Sequence, residues 1–382
     1  MSAKPLFLSL VLGALMVTGA SAQVKVGVVT SSTGPVAAVG IPQKNSVALL
    51  PKVIGGETVE YISLDDASDP TAAANAFKKL INEEKVDAII GPSGSPSAMG
   101  VIGFAAESGT PMLAPVGTAA VVLPMDEKKK WVFKTTQNDN LVSEKVVADM
   151  VKRGYKTVGL IATADAFGDN WEKVFKADAE KAGLKVVAAE RFQRQDTSLT
   201  AQGLKLLSEN PDAILVAAPG SSAVLPATTM VDLGYAGQLY ETHGAALPAF
   251  LELGGKKVEG VRLAASLMLV LDEAPDTEVA KPVAVKYVND YEKMYGTKPA
   301  TFGANVYDAG LLLEVAIPVA LKTGAKPGTP EFRAALRDAL ETLKEVAGTQ
   351  GVYNMTPADH SGFDQRGMML IEVKDGAFHL AQ

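Results

Sequence analysis

Two short loops carry the residue types suited to gripping a small anion. Gly91-Pro92-Ser93-Gly94-Ser95-Pro96-Ser97 follows an apolar run at 86–90, and Pro115-Val116-Gly117-Thr118-Ala119 follows a second at 110–114. Each pattern reads as a buried parallel strand, a small-residue turn and a helix start. The first backbone N–H groups of a helix lack intrahelical partners, and the helix dipole adds partial positive charge there. Two such ends side by side hold a carboxylate without a lysine, a metal or a catalytic base. The hydroxyls of Ser95 and Thr118 suit either of two roles, ligand donor or helix cap. The roles are compatible, because a cap hydroxyl lies beside the orphan N–H groups.

Few other residues offer chemistry. There is no cysteine, and the imidazoles are His243, His360 and His379. Thiol catalysis and cysteine–zinc sites are therefore excluded, and no H-E-x-x-H, G-x-S-x-G or P-loop pattern occurs. No metal and no cofactor is expected. Asp65, Asp66 and Asp69 read as turn and cap residues: Asp69-Pro70 places a good N-cap before a proline at N1. His360 and His379 lack a partnering cluster. The formal net charge of −7 argues against nucleic acid or an anionic membrane as partner. Lys128-Lys129-Lys130, the one basic cluster, reads as a solvated face.

The positioning elements follow from length and periodicity. A chain of 382 residues exceeds one ordinary core, so two domains are expected. Residues 1–22 read as a secretory signal: Lys4, an apolar segment at 6–17 too short to span a bilayer, and Ala20-Ser21-Ala22 as an A-x-A cleavage site. The mature chain then begins at Gln23, in the periplasm of a Gram-negative cell. No later stretch reads as long and apolar enough to cross a membrane.

Strands are expected at 24–30, 59–64, 86–90 and 110–114, with a helix at 70–84 whose Ala73, Phe77, Leu80 and Ile81 share one face. The grammar restarts with strands at 157–163, 185–189, 213–217, 238–241 and 261–265, and helices at 167–182, 199–209 and 222–233. Such alternation implies parallel sheets with helices on both faces. Helices at 279–295, 305–322 and 330–343 have no strands between them, so they are expected to cover the first unit. The end, 351–353 and a hairpin at 368–373 and 377–380, is expected to return to the second. Three chain crossings are predicted, near residues 138, 266 and 346.

These segments resemble type I periplasmic substrate-binding proteins of the branched-chain amino-acid ABC-transporter family. The resemblance rests on Ser32-Thr33-Gly34-Pro35-Val36, Leu64-Asp65-Asp66-Ala67-Ser68-Asp69-Pro70, the 91–97 loop, 114–119, Asp165-Ala166-Phe167-Gly168 and 301–309, in that order and spacing. It implies an α/β fold of two Rossmann-like lobes, each a mostly parallel sheet flanked by helices, joined by a three-strand hinge. Lobe I would comprise 23–138 plus 266–345, and lobe II 139–265 plus 346–382. It also implies a monomer that captures a ligand by lobe closure and delivers it to an inner-membrane ABC permease with a cytoplasmic ATPase.

The resemblance further implies the site. Ser95, Gly117, Thr118 and Ala119 would hold the ligand carboxylate, and Phe167 would close over it, with Trp171 packed beneath. Ser221 and Ser222 follow a strand end in the same manner, and Tyr307 or Phe302 would approach from the first lobe. Amino-acid binders of the family use a second-lobe acid for the α-ammonium; here the matching segment reads Glu241-Thr242-His243-Gly244, with His243 in that place. A neutral imidazole replaces a full negative charge poorly against a desolvated ammonium. Val39 stands where the family often has a tyrosine, and the family's disulfide positions read Ser68 and Gly94. The expected ligand is therefore an aromatic or apolar carboxylate lacking an α-amino group. The alternatives are a leucine, isoleucine or valine binder, which a two-residue alignment shift onto Glu241 would restore, a chemosensory binding protein, and a periplasmic hydrolase built on Ser95 and His243.

Overall fold

The computed structural model describes residues 23–299 and 301–382; the expected signal segment, 1–22, lies outside them. Two sheets organise the chain. The first is built from β1 (Val24–Thr30), β2 (Val53–Ile54), β3 (Glu57–Asp65), β4 (Ala88–Ile90), β5 (Met112–Ala114) and β6 (Val132–Lys134), in the order β2-β3-β1-β4-β5-β6. All its pairings are parallel except β2 with β3. β1 is apolar and buried apart from Lys25, as a strand covered on both faces must be.

The second sheet uses β7 (Thr157–Thr163), β8 (Lys185–Phe192), β9 (Ala213–Ala217), β10 (Gln238–Glu241) and β11 (Arg262–Ala265). After a short pair, β12 (Val346–Ala347) with β13 (Val352–Tyr353), the chain adds the hairpin β14 (Met369–Lys374) and β15 (Ala377–Leu380) antiparallel to β11. The order is β15-β14-β11-β10-β9-β7-β8.

Helices α1 (Ala37–Ser46), α2 (Pro70–Lys79) and α3 (Ser95–Ser108) connect strands of the first sheet. α4 (Asp139–Lys152), α5 (Ala166–Lys181), α6 (Thr200–Ser208), α7 (Val224–Asp232) and α8 (Pro248–Gly254) serve the second. The late helices α9 (Lys281–Tyr295), α10 (Thr301–Leu321) and α11 (Pro330–Glu341) return to the first: Ala304, Leu312, Leu313 and Phe332 share a core with Val26, Val28 and Ile90.

The expected strands at 24–30, 157–163, 213–217 and 238–241 coincide with the observed ones. The helix expected over 70–84 is α-helical to Lys79 and continues as a π-turn over Leu80–Glu84, which Lys85 ends in the left-handed region at φ 57°. Strands β2, β6 and β12 and helices α1, α4 and α8 are additions to the sequence reading. β2 is two residues long, and α1 carries an internal Pro42, so neither announces itself by periodicity. One expectation needs correction. α10 is long and apolar enough to cross a membrane by length and composition alone. It is instead the central helix of the first unit, with 67% of its most apolar window buried.

Both sheets reverse direction of growth beside their first strand. β1 has β3 on one side and β4 on the other; β7 has β8 and β9. Open α/β sheets hold their ligands outside the strand C-termini at such switch points. The turns after β1, β4 and β5 of the first lobe and after β7, β8, β9 and β10 of the second meet between the two lobes.

Candidate ligand-binding site

A narrow cavity lies between the lobes. The first lobe contributes Val36, Val39, Ser93, Gly94, Ser95, Pro115, Val116, Gly117 and Phe302, and the second Phe167, Arg194, Pro219, His243 and Gly244. The lobes touch around it. A Cβ on Gly117 would sit 2.8 Å from His243 Nε2 and 3.0 Å from Phe167 Cε2. Thr301 Oγ1 donates to Ala246 O across the cleft at 2.7 Å. Val36, Val39 and Phe302 pack into the apolar cluster of the second lobe, with Ala218, Ala223 and Leu247.

The first-lobe wall is the turn after β4 and the turn after β5. Ser93 Oγ accepts from Ser31 N–H at 2.9 Å, which leaves its own proton free to donate. Ser95 is the first residue of α3, and the N-cap is Gly94, so Ser95 does not cap this helix. Its hydroxyl makes no hydrogen bond among the described residues, although the residue is 3% exposed. Thr118 lies behind the wall rather than in it. It is fully buried, and its hydroxyl accepts from Ala120 N–H at 3.3 Å as cap of the turn Ala119–Val121. Val39 lines the cavity and presents an apolar surface to it.

The second-lobe wall rests on α5. Asp165 caps it, accepting from Phe167 N–H (2.9 Å), Gly168 N–H (3.2 Å) and Thr163 Oγ1 (3.0 Å). This fixes Phe167 at the cavity, its ring 6.4 Å from both Trp171 and His243. Trp171 is completely buried beneath, 6.0 Å from His243. Arg194, from the turn after β8, donates Nε to Asp165 Oδ2 at 2.6 Å; its Nη2 is buried with no partner among the described residues.

Behind Gly117 and His243 lies a buried polar cluster. Lys134 Nζ donates to Gly117 O (2.5 Å) and Gln137 O (3.2 Å), and burial pushes its pKa down. Burial raises the Asp139 carboxyl, which accepts from Asn170 Nδ2 at 2.5 Å. His243 Nε2 stands 3.9 Å from Asp139 Oδ1, too far for a hydrogen bond. Burial, reinforced by Lys134, holds the imidazole pKa down to about 3, so His243 is neutral at pH 7 and forms no ion pair. Its Nδ1 has no partner among the described residues.

Glu241 is completely buried on β10, two residues before His243, and does not line the cavity. Neither carboxyl oxygen has a partner among the described residues, and burial raises its pKa well above the ordinary value. Among the described lining residues there is no aspartate or glutamate, and Arg194 is the one charged group.

Of the residues singled out from sequence, Ser95, Gly117, Phe167 and His243 come together at the cavity. Thr118 and Ala119 support its wall from behind. Ser221 is exposed on the turn Gly220–Ala223, and its neighbour Pro219 forms the wall instead. Tyr307 faces away from the cleft, its ring 4.9 Å from that of Tyr287. Phe302 takes the first-lobe position. Arg194 and Ser93 are the polar lining residues that sequence reading missed. Asp65, Asp66 and Asp69 form turn and cap hydrogen bonds, with Asp69 accepting from Ala72 N–H at 2.7 Å. His360 stacks on Phe133 at 4.2 Å, and His379 pairs with Glu273.

A family model described as periplasmic binding protein matches residues 23–377. The chain belongs to that family. A periplasmic binding protein fold accounts for the two mostly parallel sheets and for the site between them. An extracellular ligand-binding receptor from Rhodopseudomonas palustris HaA2 is similar at 44% identity and a TM-score of 0.91, covering 94% of this chain and 100% of that one. A leucine-binding protein, LivK, from Thermotoga maritima is 26% identical, with a TM-score of 0.80 over 94% and 98% of the two chains. The Leu/Ile/Val-binding protein BraC3 of Rhizobium johnstonii is 25% identical over 359 residues, 91% of each chain.

Proposed function

We propose that this periplasmic binding protein is the solute-capturing component of a branched-chain amino-acid-type ABC importer, and that its ligand is a small carboxylate with an aromatic or apolar body and no α-amino group. Residues 1–22 direct export and are removed, and the loaded, closed protein docks on an inner-membrane permease. One observation carries the ligand class. The lining holds one cation, one neutral imidazole and no acid. A carboxylate meets donors there; an α-ammonium meets no acid among the described lining residues, and Asp165, beside the lining, is paired with Arg194. Glu241 does not supply one, because it is buried outside the lining and burial favours its neutral form.

The mechanism is capture by closure. The ligand carboxylate binds the Ser93–Ser95 turn, the second lobe rotates over it, and Val39, Phe167 and Phe302 enclose the apolar body. Closure removes water, which strengthens each bond to the carboxylate. Bonds to a charged group contribute roughly 1.5–3 kcal/mol each, so three of them with an enclosed apolar body reach micromolar affinity, about −8 kcal/mol.

The names of the relatives favour a second reading, an aliphatic amino-acid binder. Titration with benzoate, 3-phenylpropanoate, hexanoate and leucine separates the two. Binding without turnover is the reading favoured over hydrolysis. An imidazole with a pKa near 3 is a weak general base, and no carboxylate hydrogen-bonds it.

A further inference from the structure

We infer that Arg194 is the second-lobe half of a carboxylate clamp, so that the ligand's negative charge, rather than an ammonium, links the two lobes. The inference rests on the ligand class proposed above. Arg194 lines the main cavity and also a second one that shares Val36 and Gly94 of the first lobe; Asp165, its ion-pair partner, lines the second. Arginine and carboxylate turn therefore share the same end of the cleft. One edge of the guanidinium is committed: Nε donates to Asp165 Oδ2 at 2.6 Å. The Nη2 nitrogen is buried without a partner among the described residues, and the side chain is 12% exposed. A buried guanidinium N–H left unpaired is costly, and a ligand carboxylate is the strongest acceptor that can satisfy it.

The pairing also couples recognition to the lid. Asp165 accepts both from Arg194 Nε and from the Phe167 and Gly168 amides. Asp165 is held ionised below the usual carboxylate range: Arg194 and these donors outweigh the opposing effect of burial. A carboxylate drawing on Arg194 thus pulls on the residue that fixes the start of α5 and the ring closing the cavity. Arg194 is a specificity-determining residue on this reading, and Asp165 a positioning one.

The test is calorimetric titration of the mature chain with benzoate, 3-phenylpropanoate and hexanoate, with the primary amide of each, and with leucine. Wild-type protein is expected to prefer an acid over its amide. Arg194→Gln should weaken the bound acid about 10–100-fold and erase its preference over the amide, alongside a lowered melting temperature from the lost Asp165 pair. Asp165→Asn keeps a competent cap and should give an intermediate loss. Acid binding by Arg194→Gln equal to wild type overturns the clamp. So does equal weakening of acid and amide, the signature of an arginine that acts only through Asp165. If wild type prefers leucine and Arg194→Gln still weakens leucine tenfold, the ligand class fails and the clamp stands. Binding of none of these carboxylates by wild type overturns both.

Discussion

Gly117→Ala tests whether the lobe contacts described here belong to the ligand-holding form. Gly117 has no left-handed φ, so alanine costs no backbone strain. Its new methyl would stand 2.8 Å from His243 Nε2, 3.0 Å from His243 Cε1 and 3.0 Å from Phe167 Cε2. Ordinary contact needs roughly 0.5 Å or more of extra room at each. Neither neighbour yields readily, because Trp171 is packed close to both rings. Overpacking of this kind costs about 1–3 kcal/mol. All three contacts cross between lobes, so the cost falls on the closed form and spares the open one. Affinity should drop about 5–150-fold for whichever acid wild type binds. The ligand-free melting temperature should move by less than the loss in binding. Calorimetry gives the first quantity, and small-angle scattering with saturating ligand should show a larger radius than wild type. An unchanged dissociation constant with full compaction would refute the wedge argument.

Three further substitutions probe the site. His243→Glu places a full negative charge where a neutral imidazole stands; acids should weaken at least about tenfold, and leucine should gain, read in the same titrations. Glu241→Gln addresses the buried acid. Its folded pKa lies above the unfolded one, so the native state keeps a proton that the unfolded state has released, and stability falls as pH rises above about 4.5. Urea unfolding should show variant and wild type alike near pH 4, with the variant gaining up to about 1.4 kcal/mol per pH unit above that; a gap independent of pH contradicts the assignment. Thr118→Ala removes a cap rather than a lining group, so it should cost about 0.5–2 kcal/mol of stability. A 10–100-fold loss of affinity with unchanged melting would instead make the hydroxyl a ligand donor.

The fold was legible because buried parallel strands are apolar throughout and bounded by small residues. Val24–Thr30 and Ala213–Ala217 stand out on that ground alone. The first-lobe turn was legible for a related reason: glycine and serine clustered at a strand end have few other uses. Arg194 was not, because Gln193-Arg194-Gln195-Asp196 reads as an ordinary surface loop until β8 and β7 bring it beside Asp165. Tyr307 and Phe302 could not be ranked from sequence. α10 is apolar on every side, and five residues turn a helix by about 500°, so the two rings point roughly 140° apart and one of them alone can reach the cleft. Ser221 failed because the turn Gly220–Ala223 carries its side chain outward and leaves Pro219 as the wall.

The most direct measurement is a competition titration of wild-type protein between an acid without an amino group and leucine. A cleft with one guanidinium, a neutral His243 and no lining acid predicts micromolar binding of benzoate, 3-phenylpropanoate or hexanoate, undisturbed by a hundredfold excess of leucine. Tight leucine binding with no response to any of the three acids would contradict it.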